Sequence, residues 1–207
     1  MRRHGSFARP LLVFVAWAAS SCASVLPKSA ESRFFVLSSL EPAARVETGG
    51  QAQPSVLLGA VTLPTYLDRR ELVTRLASNQ VRVEDLELWA EPLREAVPRA
   101  LEHDLDTMLG GGKVQRLPWT VAAAPALVVS VDVRRFEKTA NRTVELEASW
   151  TIAAGAAGAV RVRRDTRLTL PIAEAGTQAA VKTLSDALAG LGREIAAAVR
   201  DVSREGL

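Results

Sequence analysis

Apolar and polar residues alternate along this chain in two rhythms, and each rhythm predicts a type of secondary structure. Alternation with a period of two is clearest in three segments of the second half, at 129–134, 144–152 and 160–172. In each segment apolar side chains occupy one face and charged or hydroxyl side chains the other, as in half-buried antiparallel strands. Glutamates of the second segment complement arginines of the third, so we expect these two strands to be neighbours.

Two other segments carry apolar residues every three or four positions, which predicts amphipathic helices at 93–109 and at 177 to about 204. Short apolar runs predict four strands in the first half, at 33–37, 56–63, 71–76 and 81–89. The order of strands, helix, strands and helix predicts an α+β fold. We expect an antiparallel or mixed β-sheet with two helices packed on one face, a two-layer sandwich.

The first 21 residues carry a different pattern. Arg2, Arg3 and Arg9 precede an apolar run from Leu11 to Ala19. This run is too short to cross a bilayer, which takes about 20 apolar residues. Its length and its basic flank are those of a secretory signal peptide.

The end of this leader indicates a lipid anchor. Ala19-Ser20-Ser21-Cys22 is similar to the bacterial lipobox, in which the cysteine thiol receives a diacylglyceryl group and becomes the new N-terminus. We therefore expect residues 1–21 to be a lipoprotein signal peptide and Cys22 to be the lipid attachment site. Residues 22–32 are then a lipidated tether, and residues 33–207 a single periplasmic α+β domain.

Charge and composition exclude several classes of function. Of 26 basic residues, three lie in the leader, so the rest of the chain carries 23 basic and 23 acidic residues and has no net charge. A neutral domain argues against nucleic-acid binding, which needs a basic face. Cys22 is the only cysteine and His103 the only histidine beyond the leader, which excludes a zinc site of the usual Cys/His kind. We expect no metal and no cofactor.

Two further features invite a chemical interpretation. Gly110–Lys113 is similar to a phosphate loop, but it follows a predicted helix and no Ser or Thr follows the lysine, so we expect no nucleotide there. A hydrolase would have to use His103 as its imidazole base, and His103→Ala is the test of that hypothesis. We expect no enzymatic activity.

The candidate contact residues follow Pro64. Tyr66, Asp68, Arg69 and Arg70 form a cluster that can be a contact patch for a partner or a neighbouring subunit, since Tyr and Arg are favoured at interface centres. The alternative is a turn held together by local charge pairs.

Trp89 and Glu91 have a similar status. They stand at the end of a predicted strand and just before the first helix. A tryptophan there belongs either to the core, or as a staple to the helix, or to a partner or lipid contact. These interpretations stay open at this stage.

Three segments carry a resemblance to a known family. They are the Phe34-Phe35-Val36-Leu37 strand just past the lipobox, the stretch from Val61 to Arg75 with its Tyr-Leu-Asp-Arg block, and Trp89-Ala90-Glu91-Pro92-Leu93. Together they resemble the PqiC family of membrane-integrity transporter subunits, the ABC-type transport auxiliary lipoproteins.

The resemblance implies an outer-membrane lipoprotein of a Gram-negative bacterium that faces the periplasm. It implies work with an MCE-domain protein that spans the periplasm and with an inner-membrane transporter component, in lipid movement between the two membranes. The protein would be a docking adaptor, and it could form a homo-oligomeric ring. The alternative is a stand-alone periplasmic lipoprotein that binds a lipid or an envelope ligand.

Overall fold

The secondary structure follows the two periodicities of apolar residues in the sequence. The computed structural model describes residues 30–41, 54–116, 126–155 and 158–205. The predicted signal peptide, Cys22 and most of the tether lie outside the described residues. Within them the chain forms eight strands and two helices, in the order β1 (Arg33–Phe35), β2 (Val56–Thr62), β3 (Glu71–Ala77), β4 (Gln80–Trp89), α1 (Leu93–Met108), β5 (Val114–Arg116), β6 (Leu127–Thr139), β7 (Thr143–Ala154), β8 (Val160–Pro171) and α2 (Thr177–Arg204).

Strand β6 connects the whole sheet. One of its edges pairs with β7 in antiparallel register, from Leu127 opposite Ala154 to Lys138 opposite Val144, and β7 pairs in turn with β8. The first half of its other edge pairs with β2 in parallel register, and its last two residues pair with β3. The sheet continues from β2 to β5 and from β3 through β4 to β1. It is therefore an open, mixed sheet that divides into two branches on one side of β6.

Both helices cover the apolar face of this sheet. Helix α2 packs on β6, β7 and β8, and α1 packs on α2, β2 and β5. The largest buried side chains include Trp150 of β7 and Phe136 of β6. Gly190 allows a close approach of α2 to β8, because a Cβ atom there would lie 2.8 Å from Cδ1 of Leu168. The inward face of the strands and the apolar stripes of the helices thus form one core.

The predicted fold class is confirmed, as α+β with a mixed sheet and two helices on one face. The predicted pairing of β7 with β8 is also confirmed, with Glu147 opposite Arg167. Strand β5 was not predicted, and neither were the parallel pairs. A register shift between Val133 and Arg135 turns Phe136, rather than residue 135, toward the core. Alternation alone does not reveal such a bulge, because one inserted residue reverses the phase of the strand.

Candidate functional site

The segment that joins β2 to β3, residues 63–70, is a tight turn and contains four of the predicted contact residues. The amide of Leu67 donates to the carbonyl of Pro64 at 3.0 Å, and the amide of Asp68 donates to that of Thr65 at 3.2 Å. The Leu67 side chain is buried in the core and fixes the turn to the domain. We call residues 63–70 the β2–β3 loop.

Tyr66 is held by a buried ion pair beneath the loop. Its hydroxyl accepts a hydrogen bond from Arg75 at 3.1 Å, and the Arg75 guanidinium lies 5.7 Å from the ring centroid. Arg75 also forms an ion pair with Glu137, whose side chain is fully buried. Burial raises the pKa of the Tyr66 phenol, and the negative charge of Glu137 raises it further. The phenol therefore stays protonated, and Tyr66 contributes a hydroxyl and an aromatic ring to the site.

A second polar group lies beside this pair, around Glu84 of β4. Its carboxylate accepts hydrogen bonds from Thr74 and Arg82 and lies 3.1 Å from the Lys138 ammonium. Burial alone would raise the pKa of Glu84, but the hydrogen bonds from Thr74, Arg82 and Lys138 outweigh it and lower the pKa to about 2. Glu84 is thus an anion at neutral pH and ties β3, β4 and β6 together where the sheet branches.

The other loop residues divide into held and exposed side chains. Asp68 forms an ion pair with Arg94 of α1 at 3.0 Å, which joins the loop to the start of that helix. Arg69 pairs with Glu71 at 3.1 Å and remains partly exposed. Arg70 is exposed, and its carbonyl accepts a hydrogen bond from the amide of Trp89 at 2.6 Å. Arg69 and Arg70 are therefore the two cations that a firmly held loop presents to solvent.

Trp89 is the last residue of β4, and Glu91 lies between β4 and α1. The indole of Trp89 is 4% exposed and belongs to the core cluster that also contains Leu67 and Leu93. Glu91 forms an ion pair with Arg99 of α1. A contact role for this pair stays a prediction, and the burial of the indole leaves only Glu91 near the surface.

The sequence did not indicate the Arg75–Glu137 pair. Arg75 lies in a strand predicted only from a short apolar run, Glu137 lies beyond the predicted segment 129–134, and the two are 62 positions apart. The available signal was local: a phenylalanine at 136, next to a glutamate, interrupts the alternation of β6. The outer face of the sheet was likewise predicted only as a polar surface.

That outer face contains an open groove of about 520 Å³ on β2, β6, β7 and β8. Its lining includes small and hydroxyl side chains together with four charged residues. Asp132 accepts a hydrogen bond from Thr62 at 2.6 Å, and Arg134 lies 3.4 Å from Asp165. The charges of the groove thus neutralise one another, and the groove is open to solvent, so it does not enclose an acyl chain.

The backbone amides of the glycine segment after α1 are already hydrogen-bonded within the protein. Gly110, Gly111 and Gly112 all have positive φ, as a turn after a helix requires. The carboxylate of Asp106 accepts hydrogen bonds from the amides of Gly112, Lys113 and Val114 at 2.8–3.0 Å. Since a carboxylate already occupies these donors, the segment is built as a helix end rather than as a phosphate cradle.

His103 lies on the exposed side of α1. Among the described residues, no group of three or more His, Cys, Asp or Glu side chains is placed to hold a metal ion. No helix in the described part of the chain is long and apolar enough to span a bilayer.

Comparison with known proteins defines the class. Residues 35–196 match the family described as ABC-type transport auxiliary lipoprotein component, and the chain belongs to this family. It is a family of accessory subunits of transporters, not a family of enzymes. The match covers every strand and helix described above except most of β1 and the end of α2.

Two solved structures share the fold. An uncharacterized protein of known crystal structure superposes with a TM-score of 0.67 at 20% identity, over 82% of this chain and 99% of its own. Protein XCC0632 from Xanthomonas campestris superposes with a TM-score of 0.63 at 16% identity, over 79% of this chain and 92% of its own. No curated protein matches the sequence.

Proposed function

We propose that this protein is an outer-membrane-anchored accessory lipoprotein of an MCE-type intermembrane lipid transport system. Anchored to the membrane through Cys22, it acts in the periplasm as a docking adaptor for an MCE-domain protein that spans the periplasm. An inner-membrane transporter component completes the system, and the adaptor can assemble as a homo-oligomeric ring. Membership of the transport auxiliary lipoprotein family is the observation that carries the proposal.

The leader supports the anchored part of this proposal. A basic segment, a short apolar run and small residues ending in the only cysteine of the chain stand in the order that lipoprotein processing requires. Acyl chains buried at about 0.8 kcal/mol per CH₂ give lasting attachment when more than one chain is present. The residue after Cys22 is Ala23 rather than Asp, which fits sorting to the outer membrane.

The β2–β3 loop supports the docking part. Its main chain is fixed by Leu67 and by the Asp68–Arg94 ion pair, while Arg69 and Arg70 project into solvent. A rigid loop loses little conformational entropy when it binds, so exposed arginines on such a loop make good anchors for a protein partner. The partner surface is then expected to be acidic.

Cavity sizes favour an adaptor over a lipid carrier. The enclosed space between Trp89 and Phe136 amounts to about 10 Å³, which is hardly enough for one water molecule. The larger groove on the outer face is open to solvent, and charged side chains are part of its lining. Neither of these two sites offers an acyl chain an apolar enclosure.

Affinity capture from solubilised envelopes tests the proposal. The tagged full-length lipoprotein should recover an MCE-domain protein, and Cys22→Ser should lose the acyl mass, the membrane fraction and most of this recovery. The double variant Arg69→Glu/Arg70→Glu should keep the anchor but lose the partner. Arg161→Glu/Arg163→Glu is the matched control, because it makes the same charge change at two exposed arginines of β8.

Two results would contradict the proposal. One is an intact, anchored lipoprotein that recovers no MCE-domain protein. The other is a monomer that carries a stoichiometric lipid in native mass spectrometry, which would favour the stand-alone binding lipoprotein.

A further inference from the structure

An apolar patch lies at the outer edge of β1, where the folded domain begins. Phe34 and Val36 are each 57% exposed, and Leu86 of the neighbouring strand β4 is 39% exposed. We call Phe34, Val36 and Leu86 the β1 patch. Large exposed apolar side chains are ordinary when they are scattered singly, but Phe34 and Val36 lie two positions apart at the start of the domain, and Leu86 lies in the adjacent strand.

The register of β1 shows that this exposure is built into the fold. Phe34 pairs with Leu88 and Phe35 with Trp89, so Phe35 turns toward the core and Phe34 away from it. Leu37 is buried as well, which places Val36 on the same outward side as Phe34 by alternation.

Ion pairing and hydrogen bonding hold β1 in this position. Arg33 forms an ion pair with Glu87, and its guanidinium lies 5.9 Å from the Phe35 ring. After the strand, the amide of Ala90 donates to the carbonyl of Phe35 at 2.8 Å, and the amide of Ser38 donates to Ser185 of α2 at 3.1 Å. The chain is therefore held both before and after Phe34, and Phe34 points outward.

An outward apolar edge of a sheet requires a cover. The main chain at such an edge pairs readily with other chains, and proteins usually protect it with charged side chains, proline or a covering element. In β1 the charged side chain is Arg33, whereas positions 34 and 36 present phenylalanine and valine outward. We therefore expect this surface to be covered in the working protein.

The position of the patch in the chain indicates what covers it. Only ten residues, 23–32, separate Cys22 from Arg33, and ten residues reach at most about 33–36 Å. A membrane that holds the acylated Cys22 is therefore always within reach of the patch, at a high effective concentration. A small apolar contact adds usefully to an existing lipid anchor, although alone it would bind a bilayer weakly.

We propose that the β1 patch rests on the bilayer that holds the acylated Cys22, with Phe34 and Val36 inserted at the level of the headgroups. This proposal depends on the lipidation of Cys22 that the proposed function includes. The contact would set the orientation of the domain on the membrane, with the β1 edge of the sheet toward the lipid.

Depth-dependent fluorescence quenching tests the contact. The full-length lipoprotein carrying Phe34→Cys is labelled with an environment-sensitive fluorophore and reconstituted in vesicles of phosphatidylethanolamine and phosphatidylglycerol with brominated acyl chains. Acylation consumes the thiol of Cys22, so the introduced cysteine is the reactive one. Val160→Cys, 51% exposed on β8, is the matched control, and Leu86→Cys is a second probe that leaves Phe34 and Val36 in place.

The expected result is a blue-shifted emission at positions 34 and 86 and several-fold stronger quenching there than at position 160. Equal, weak quenching at all three positions in a protein that floats with the vesicles overturns the inference and leaves the anchor intact. Shielding of position 34 that appears only when a protein partner is added also overturns it. A protein that lacks the diacylglyceryl mass and fails to float overturns the lipid-anchored function itself, and the inference with it.

Discussion

The two ends of the sheet are built in different ways. At the antiparallel end, strands β6, β7 and β8 run side by side for about their full length, and polar side chains pair across them, as Arg167 does with Glu147 at 2.9 Å. At the β1 end, where β1, β3 and β4 join the end of β6 at residues 137–139, the β3–β4 register shifts twice, and the contacts of β1 with β4 and of β3 with β6 are two or three residues long.

The two ends also place their charges differently. The antiparallel end keeps them on its exposed outer face, whereas the β1 end buries Glu137 fully and encloses Glu84 among donors. The β1 end also exposes Phe34 and holds the β2–β3 loop. Proteins depart from regular packing where function requires it. We therefore expect the antiparallel end to contribute most of the stability, and the β1 end is the region that we propose for recognition.

The largest effect on stability is expected from Trp150→Ala at the antiparallel end. The Trp150 side chain is buried between β7 and the helices, and its Nε1 donates to Thr166 at 2.9 Å. Removing a buried aromatic side chain costs about 3–5 kcal/mol of unfolding free energy. Chemical denaturation measures this loss, and Trp150→Phe should lose clearly less. A loss below about 1 kcal/mol for the alanine variant would mean that the antiparallel end is not the stabilising part.

The next largest effect is expected from Glu137→Ala at the β1 end. Removing one partner of a buried ion pair leaves Arg75 without its counter-charge, and we expect a loss of about 3 kcal/mol. Glu147→Ala is the matched control, since its partner Arg167 is largely exposed and the pair is worth at most about 1 kcal/mol. Equal losses for the two variants would remove the distinction between buried and exposed charges on which the comparison depends.

Glu84 should give the β1 end a dependence on pH. Its folded-state pKa of about 2 lies below its ordinary value of 4.5, so its stabilising contribution is present above pH 4.5 and is lost as the pH falls toward 2. We expect wild type to lose about 2 kcal/mol more than Glu84→Gln across this window, since partial exposure reduces the effect. Urea denaturation at a series of pH values measures the difference.

Asp104 changes the free energy of unfolding with pH in the opposite direction. Burial raises the pKa of its carboxyl, opposed in part by the amide of Leu40, so its contribution is present below its ordinary pKa of 3.8 and is lost as the pH rises through the raised value. Because both proteins retain Asp104, it cancels in the comparison of wild type with Glu84→Gln. Parallel stability curves for the two would contradict the assigned role of Glu84.

The smallest effect on stability is expected from Arg69→Glu/Arg70→Glu. These side chains are exposed, and surface substitutions usually change stability by about 0.5 kcal/mol or less. The variant should therefore unfold like wild type while partner capture is lost. A large loss of stability would mean that the arginines hold the turn together, as the alternative interpretation of this cluster has it.

The sequence predicted the antiparallel end and α2 well for a physical reason. One face of these strands is buried and the other solvated, so period-two alternation survives from Val144 to Ile152. The bounds of α2, at Thr177 and Arg204, follow its apolar stripe. Such patterns are local, and one pass along the chain suffices to find them.

The β1 end could be predicted only in part. Its strands and the β2–β3 loop were found, but the ion pair of Arg75 with Glu137 joins residues far apart in sequence, and the bulge in β6 reverses the expected phase. The parallel contacts of β2 and β3 depend on their sharing one edge of β6, and that of β1 depends on its place beside β4. No local pattern specifies that choice.

Site-specific photo-crosslinking in intact envelopes tests the central claim most directly. A photo-reactive amino acid replaces Arg70 in the full-length, acylated protein, and the same replacement at Arg163 on the antiparallel end is the control. We predict an adduct between position 70 and an MCE-domain protein that is absent from position 163 and is lost in Cys22→Ser. An anchored, intact protein that forms no such adduct at position 70, or forms it equally at both positions, would contradict the account.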